Sequence, residues 1–282
     1  MIIQDVIQTI KEYYAGIDFH GNKIDDEKTR DQVLYGNTNQ KCTGIVTTCY
    51  CSINVIKQAI EKKANLIICH ESAFYNRGAS TESMNRNKTL VEKKRLLEEF
   101  GIVVWRNHDY IHSGMKNDQG ELTDGIFYGL MKILDWEKYL IAPIRTPMLF
   151  DIPETNTKEL ASLITDKLNL NGIKIIGNEN ATIKRVLIAE HIMGENDYRI
   201  IELIEEQNVD CVLAMECIDF TVASYIKDAA ELEQSKVILA IGHFNLEEPG
   251  MNYFATLLPS ILKEDICSEF IQSGDMYHFI TK

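Results

Sequence analysis

The sequence predicts an α/β protein of two units, with mainly parallel or mixed sheets and helices packed on them. Three observations carry this. Short apolar, β-rich runs alternate with amphipathic stretches of helical length. The alternation pauses once, around a cluster of prolines. The 282 residues exceed one typical domain of about 150.

The β-rich runs, in chain order, are GIVTTCY (44–50), NLIICHE (65–71), IVVWRNH (102–108), RVLIAEH (185–191), DCVLAME (210–216) and KVILAIGH (236–243). Near-continuous apolar runs of this kind suit strands buried on both faces by crossover helices. Between the first two, Ser52 is placed to cap a helix. In it Val55, Ile56, Ala59 and Ile60 share one face, and Lys57, Glu61 and Lys62 the other. The stretch 87–100 sets Leu90, Val91, Leu96 and Leu97 among Lys and Glu, with Gly101 as its stop. Helical periodicity also marks 157–168, 196–207, 219–233 and 250–263. Pro143, Pro147 and Pro153 fall in the pause between about 135 and 182, which reads as the seam between the units. A last run, DMYHFIT (275–281), reads as a closing strand.

Composition narrows the function classes. Lys and Arg number 29 against 42 Asp and Glu, a formal charge of −13, and no basic cluster offers a phosphate-binding surface. A broad nucleic-acid interface is therefore excluded. No apolar run reaches the roughly 18 residues of a membrane span. The opening MIIQDVIQTIKEYY puts Asp5 and Lys11 where a secretory signal needs its apolar core, so the expectation is a cytoplasmic protein. Seven cysteines, at 42, 49, 51, 69, 211, 217 and 267, show no C-x-x-C pair and mostly sit in apolar runs. They read as reduced core thiols, with Cys69 singled out by its polar neighbours.

In open parallel sheets ligands bind beyond the carboxyl ends of the strands. Three of the predicted strands run into polar clusters there. NLIIC ends in His70-Glu71; IVVWRN ends in His108-Asp109 and continues to His112; KVILAIG ends in His243, followed by Glu247 and Glu248. A single histidine after a strand is more often a hydrogen-bonded structural residue than a ligand, and the His-to-Glu and His-to-His pairs one helical turn apart also suit plain surface contacts. Together, three strand ends offering imidazole and carboxylate point to a metal site, and mixed N/O donors favour Zn, Fe, Mn or Ni over Ca or Mg. His191 beside Glu190 resembles a further strand-end cluster but reads first as a structural residue, whereas Glu216 at the end of DCVLAME reads equally as an ordinary strand-end carboxylate or as one facing the crevice.

With these residues in hand, the sequence resembles the Nif-three-like dinuclear metal-centre family, whose members are often labelled type 2 homologues of GTP cyclohydrolase I. The likeness lies in GIVTTCYCSINVIKQAIEKKANLIICHESAFY (44–75), GIVVWRNHDYIHSG (101–114) and AIGHFNLEEPGM (240–251). The resemblance implies a five-ligand set of His70, Glu71, His112, His243 and Glu247 holding two divalent ions per chain. Glu71 and His112 exchange donor types relative to the common pattern, which conserves three imidazoles and two carboxylates. Glu247 is the expected bridge and a catalytic candidate. Asp109 is a second catalytic candidate, and His108, Asp109 and Glu216 are candidates to orient the ligands. The resemblance further implies that the C-terminal segment returns to the first unit, giving 1–135 with about 244–282 against about 136–243. It also implies a homo-oligomer, a hexameric ring.

Three functions follow as expectations. The first is a metal-dependent hydrolase of a small anionic or nucleotide-like substrate, in which the ions make an anion-attracting crevice in an acidic protein. The second is a non-catalytic metal-binding scaffold or regulatory protein acting through partners, and metal storage is a weaker third.

Overall fold

A computed structural model describes residues 1–18, 20–75, 81–142, 144, 147–189, 191–195 and 197–280. Pro143 of the proline cluster, Glu190 beside His191 and Thr281 of the expected closing strand lie outside the described residues. From the N-terminus, α1 (Ile3–Tyr13) precedes β1 (Val33–Tyr35), β2 (Ile45–Thr48), α2 (Ile53–Glu61) and β3 (Leu66–Cys69). Next come α3 (Lys88–Glu99), β4 (Val103–Arg106), the single turn α4 (Asp109–His112), the short strands β5 (Met115–Lys116) and β6 (Leu122–Thr123), and α5 (Gly125–Leu134). Then follow β7 (Met148–Asn156), α6 (Thr157–Leu168), β8 (Lys174–Gly177), β9 (Thr182–Ile188), α7 (Tyr198–Glu206), β10 (Cys211–Ala214), α8 (Val222–Glu231) and β11 (Val237–Ala240). Two further elements, α9 (His243–Leu262) and β12 (Ser268–Phe270), complete the order.

The chain divides into two compact units: Met1–Gly129 with Gly250–Gly274, and Leu130–Pro249 with Asp275–Lys282. The first contains a five-stranded sheet in the order β1-β4-β3-β2-β12, in which β12, β2, β3 and β4 are parallel and β1 is antiparallel. Val46, Ile67 and Val104 form one row across that sheet. They bury against Val55, Ile56 and Ala59 of α2 and Leu90 and Leu97 of α3. Each Val, Ile or Leu side chain among them contributes about 1.5–3 kcal/mol of burial. Ser52 caps α2 through Val55 N (3.2 Å), and Asn87 caps α3 through Leu90 N (2.9 Å).

The second unit repeats the plan in the order β7-β9-β10-β11-β8, with β9, β10 and β11 parallel and both edge strands antiparallel. Leu187, Val212 and Ile238 make its row. Ile204 of α7 and Val222, Ala223 and Ile226 of α8 join the same cluster. The edge strand β7 carries Pro153, and its pairing with β9 shifts between Asp151 and Thr155. Proline lacks the N–H that a regular ladder needs there.

Two sequence expectations change. The run 275–281 is not a strand over its described residues; the closing strand is β12. The backbone of that run bonds to side chains instead, Tyr277 N donating to Asp275 Oδ1 (3.0 Å) and Tyr277 O accepting from Asn171 Nδ2 (2.8 Å). The helix expected over 250–263 begins earlier, at His243, and runs through Pro249. A proline removes one i→i−4 bond and reads as a break in sequence, but here the helix continues across it. Among the described residues, no helix is long and apolar enough to cross a membrane.

Candidate metal centre

In the first unit, β3 and β4 are parallel neighbours, with Cys69 opposite Arg106. Their next residues, His70 and Asn107, therefore emerge side by side, and Asn107 N donates to Cys69 O (2.8 Å). Beyond β4 the chain turns at once into α4, so His108 and His112 lie one helical turn apart on the same side. Asp31 fixes that turn. Its carboxylate accepts from the backbone N–H of His108 (2.9 Å), Asp109 (2.6 Å) and Tyr110 (3.3 Å). Burial raises the Asp31 pKa against these hydrogen bonds.

The result is three clustered imidazoles. His70 stacks on His108 with centroids 4.4 Å apart, and His112 lies 5.1 Å from each. Every Nδ1 faces an oxygen: His70 the Asn107 carbonyl (3.1 Å), His108 the Asp109 carboxylate (3.2 Å), His112 the Asp124 carboxylate (2.7 Å). With the proton on Nδ1 facing each oxygen, Nε2 would be the ligating atom of each ring, which is the outer-shell arrangement of metal-ligating histidines. One ligand atom from each of these three residues falls within 4.8 Å of the other two. Glu71 adds a carboxylate, with Oε1 3.6 Å from His108 Nε2. Two ligands on a tetrahedral ion with bonds of about 2.1 Å sit about 3.4 Å apart. The pair therefore has nearly the spacing of two donors to one cation.

The carboxylates around the imidazoles have distinct surroundings. Glu71 Oε2 accepts from Arg106 Nη2 (2.9 Å) and Ser72 N (3.2 Å). Asp109 accepts from Arg30 Nε (2.7 Å), Arg30 N (2.8 Å) and Thr29 Oγ1 (2.8 Å). Burial pushes the Asp109 carboxyl up, but hydrogen bonds from His108 and Arg30 outweigh it and hold the group well below the usual carboxylate range. Asp124 does double duty: Oδ2 faces His112, while Oδ1 accepts from Ile126 N (3.0 Å) and Phe127 N (3.2 Å) to cap α5. Cys69 is wholly buried and burial pushes its thiol far up, so it is a core residue and not a thiolate.

In the second unit, His243 opens α9 and Glu247 lies one turn on. His243 is held from both sides, Nδ1 by Glu216 Oε1 (2.5 Å) and Nε2 by Glu247 Oε2 (3.1 Å). Glu216 also meets His191 Nδ1 through Oε2 (2.7 Å). Burial raises Glu216, but hydrogen bonds from His191 and His243 prevail and bring its pKa down to about 2. The Glu216 hydrogen bond in turn raises His191.

Of the residues expected from sequence, the structure brings His70, Glu71, His108, Asp109 and His112 together in the first unit, and His243, Glu247, Glu216 and His191 in the second. Sequence reasoning ranked His108 only as an orienting residue, although its ring is as much part of the cluster as His70 and His112. It missed Asp31 and Asp124 altogether. For Asp124 a signal existed: the sequence LTDG immediately precedes a helical run, where Asp is a favoured cap.

Comparison with known proteins supports the fold and family. Two bacterial relatives, each called "GTP cyclohydrolase 1 type 2 homolog", share low identity over most of both chains. The Clostridium acetobutylicum protein is 22% identical over 228 residues, 78% of this chain and 77% of its own. That of Clostridium perfringens is 23% identical over 259 residues, 88% and 90%. The solved structure of a Bacillus cereus protein related to NIF3 superposes with a TM-score of 0.70 at 10% identity, covering 99% of both chains. Residues 29–275 match the family described as Duf34/NIF3 (NGG1p interacting factor 3), and the chain belongs to that family.

Proposed function

We propose that this protein binds two divalent transition-metal ions through His70, Glu71, His112, His243 and Glu247, and that it hydrolyses a small anionic or nucleotide-like substrate. The observation that carries the metal reading is the set of acceptors behind the first-unit imidazoles. Asn107 O, Asp109 and Asp124 lie against the three Nδ1 atoms, the arrangement that presents Nε2 of each ring to a metal. Within the second unit, Glu247 lies against His243 Nε2. Bound divalent metal supplies Lewis acidity and lowers the pKa of water toward about 7.

The chain's own residues have the following roles in this reading. His70, His112 and His243 present neutral nitrogens, and Glu71 and Glu247 present ionised oxygens. Asp109, paired with Arg30, holds the His108 ring in place and is a positioning residue. Asp124 does the same for His112. His108 is a sixth donor beside Glu71. A cavity of about 320 Å³ in the first unit beside Asp109 and His112 has room for a small ligand, but its wall balances Lys23, Lys28 and Arg30 against Asp18, Asp25 and Asp109, so the preference for an anion rests on the charge that bound metal would bring. The curated relatives carry a GTP cyclohydrolase label, which favours nucleotides among the anions to assay.

The test is metal analysis of the purified protein together with a panel of nucleotides and phosphoesters. About two ions per chain and a metal-dependent turnover are expected, with turnover lost in Glu247→Gln while the fold survives. Retained turnover in that variant excludes Glu247 as a required ligand. A second reading, a regulatory scaffold acting through partners, is favoured by the family's description as an interacting factor. It prevails if metal is bound, no substrate turns over and a defined partner co-purifies.

A further inference from the structure

The second unit, taken alone, carries a donor cluster that the five-residue set does not account for. Strands β9, β10 and β11 are parallel neighbours, so their carboxyl ends lie along one edge of the sheet. His191, Glu216 and His243 follow those three ends within a few residues. Beyond the strands proper, Ile192 bridges to Cys217 in parallel fashion, which fixes His191 beside Glu216. Ile241 N donates to Ala214 O (3.0 Å) and does the same for His243. The imidazoles of His191 and His243 lie parallel, 4° apart in plane and 5.3 Å between centroids. One ligand atom from each of the three residues lies within 4.8 Å of the other two.

We propose that His191, Glu216 and His243 form a metal site of their own, a capture position for a first-row divalent ion such as Zn²⁺ or Co²⁺. Two imidazoles and one carboxylate are a borderline-soft set that selects such ions over Mg²⁺ and Ca²⁺. The same His₂Glu set, with a fourth position open, serves zinc in hydrolases. The donors are already close to the required spacing. The Nδ1–O separations are 2.7 Å at His191 and 2.5 Å at His243. Each must open to about 3.4 Å to place both atoms on a tetrahedral ion with bonds of about 2.1 Å. The two nitrogens face different oxygens, Oε2 from His191 and Oε1 from His243, so a shared ion also requires Glu216 to turn its carboxylate between the rings. The ion replaces the shared protons between the imidazoles and Glu216, and those protons leave to solvent.

Exposure gives the site its sense. The side chains are 52% exposed at His191, 33% at Glu216, 23% at His243 and 6% at Glu247. His191 is thus the outermost donor of a graded series, and His243 is shared between the outer cluster and Glu247. An ion taken up at His191 meets its next donors progressively deeper in the same unit. The three-residue site needs nothing from the first unit; it shares His243 with the five-residue set, so an ion on His243 Nδ1 and one on its Nε2 are alternative loadings of the same neutral ring.

The experiment uses the full chain with His70 and His112 changed to Ala, which removes the two first-unit imidazoles of the five-residue set and leaves His108 as the one imidazole of that cluster. Metal-free protein is titrated with Zn²⁺ against a chelating indicator, and X-ray absorption of the Co²⁺ form counts imidazole ligands. The double variant is expected to bind one ion with two imidazoles. Adding His191→Ala should weaken binding about tenfold or more and remove one imidazole from the ligand shell, with circular dichroism unchanged; adding Glu216→Gln should weaken binding while keeping both imidazoles. The proposal is overturned if the double variant binds no ion, or if His191→Ala leaves both affinity and imidazole count unchanged. Equal ion counts in the unchanged protein and the double variant would instead overturn the five-residue centre and leave this site standing.

Discussion

Asp124 is the residue through which fold and site can be separated most cleanly. It is buried, with one oxygen on His112 Nδ1 at 2.7 Å and the other capping α5 through Ile126 N and Phe127 N. Asp124→Ala removes both functions. Loss of an N-cap costs about 1 kcal/mol, and loss of a hydrogen bond to a charged group about 1.5–3 kcal/mol, so the expected destabilisation is about 3 kcal/mol. Asp124→Asn keeps an oxygen for the cap but replaces the carboxylate behind His112 by a neutral amide. Its stability cost should be about 1–2 kcal/mol, while metal affinity should fall about 10–100-fold, as for other residues that orient a ligating imidazole. Urea denaturation of the metal-free proteins measures the first effect, and competition with a chelating indicator the second. If Asp124→Asn binds Zn²⁺ as tightly as the unchanged protein, His112 is not a ligand oriented by Asp124 and the outer-shell argument fails. If Asp124→Ala costs less than about 0.5 kcal/mol, the cap is not holding α5.

Two further outcomes test the packing. A Cβ at Gly250 would lie 2.4 Å from Ile126 Cα and 2.7 Å from its carbonyl oxygen, backbone that cannot rotate away. Helix propensity alone predicts that Gly250→Ala stabilises by about 1 kcal/mol, but the clash should dominate and destabilise by about 2 kcal/mol or more; a stabilised variant in urea melts refutes the close approach. Of the seven thiols, Cys267 is exposed and Cys217 half-buried, while Cys42, Cys49, Cys51, Cys69 and Cys211 are buried. A thiol reagent should therefore modify at most two per native chain rapidly and all seven in denaturant, and rapid modification of Cys69 would contradict its burial.

The parts of the fold that were legible are those where local sequence and tertiary role coincide. The six apolar runs became strands because central parallel strands are covered on both faces and must be apolar throughout. The antiparallel edges β1, β7 and β8 were not legible. Each is half-covered, and β7 carries Pro153, so neither composition nor periodicity marks them. The start of α9 was hidden by Pro249, which costs the helix one hydrogen bond but does not end it. Among the candidate donors, His70 and Glu71 after β3 and His243 after β11 were marked by their places just beyond the carboxyl ends of central strands, each in its own sheet. Asp31 was not, because it reaches its partners through the return of a distant loop; Asp124 was readable as a helix cap, but its contact with His112 depends on the β5–β6 hairpin between them. Asp31 bonds to α4 across some 77 residues, a contact that no spacing rule encodes. His108 was undervalued for a related reason: only the parallel pairing of β3 with β4 stacks it on His70.

The central claim is that these clusters hold metal, and diffraction from crystals grown in the presence of Zn²⁺, recorded on both sides of the zinc edge, tests it most directly. Anomalous peaks about 2.0–2.2 Å from the donor atoms of His70, Glu71, His112, His243 and Glu247 are expected, two per chain at that set. Crystals grown under the same metal-replete conditions that show no anomalous peak at any of these residues would contradict the claim.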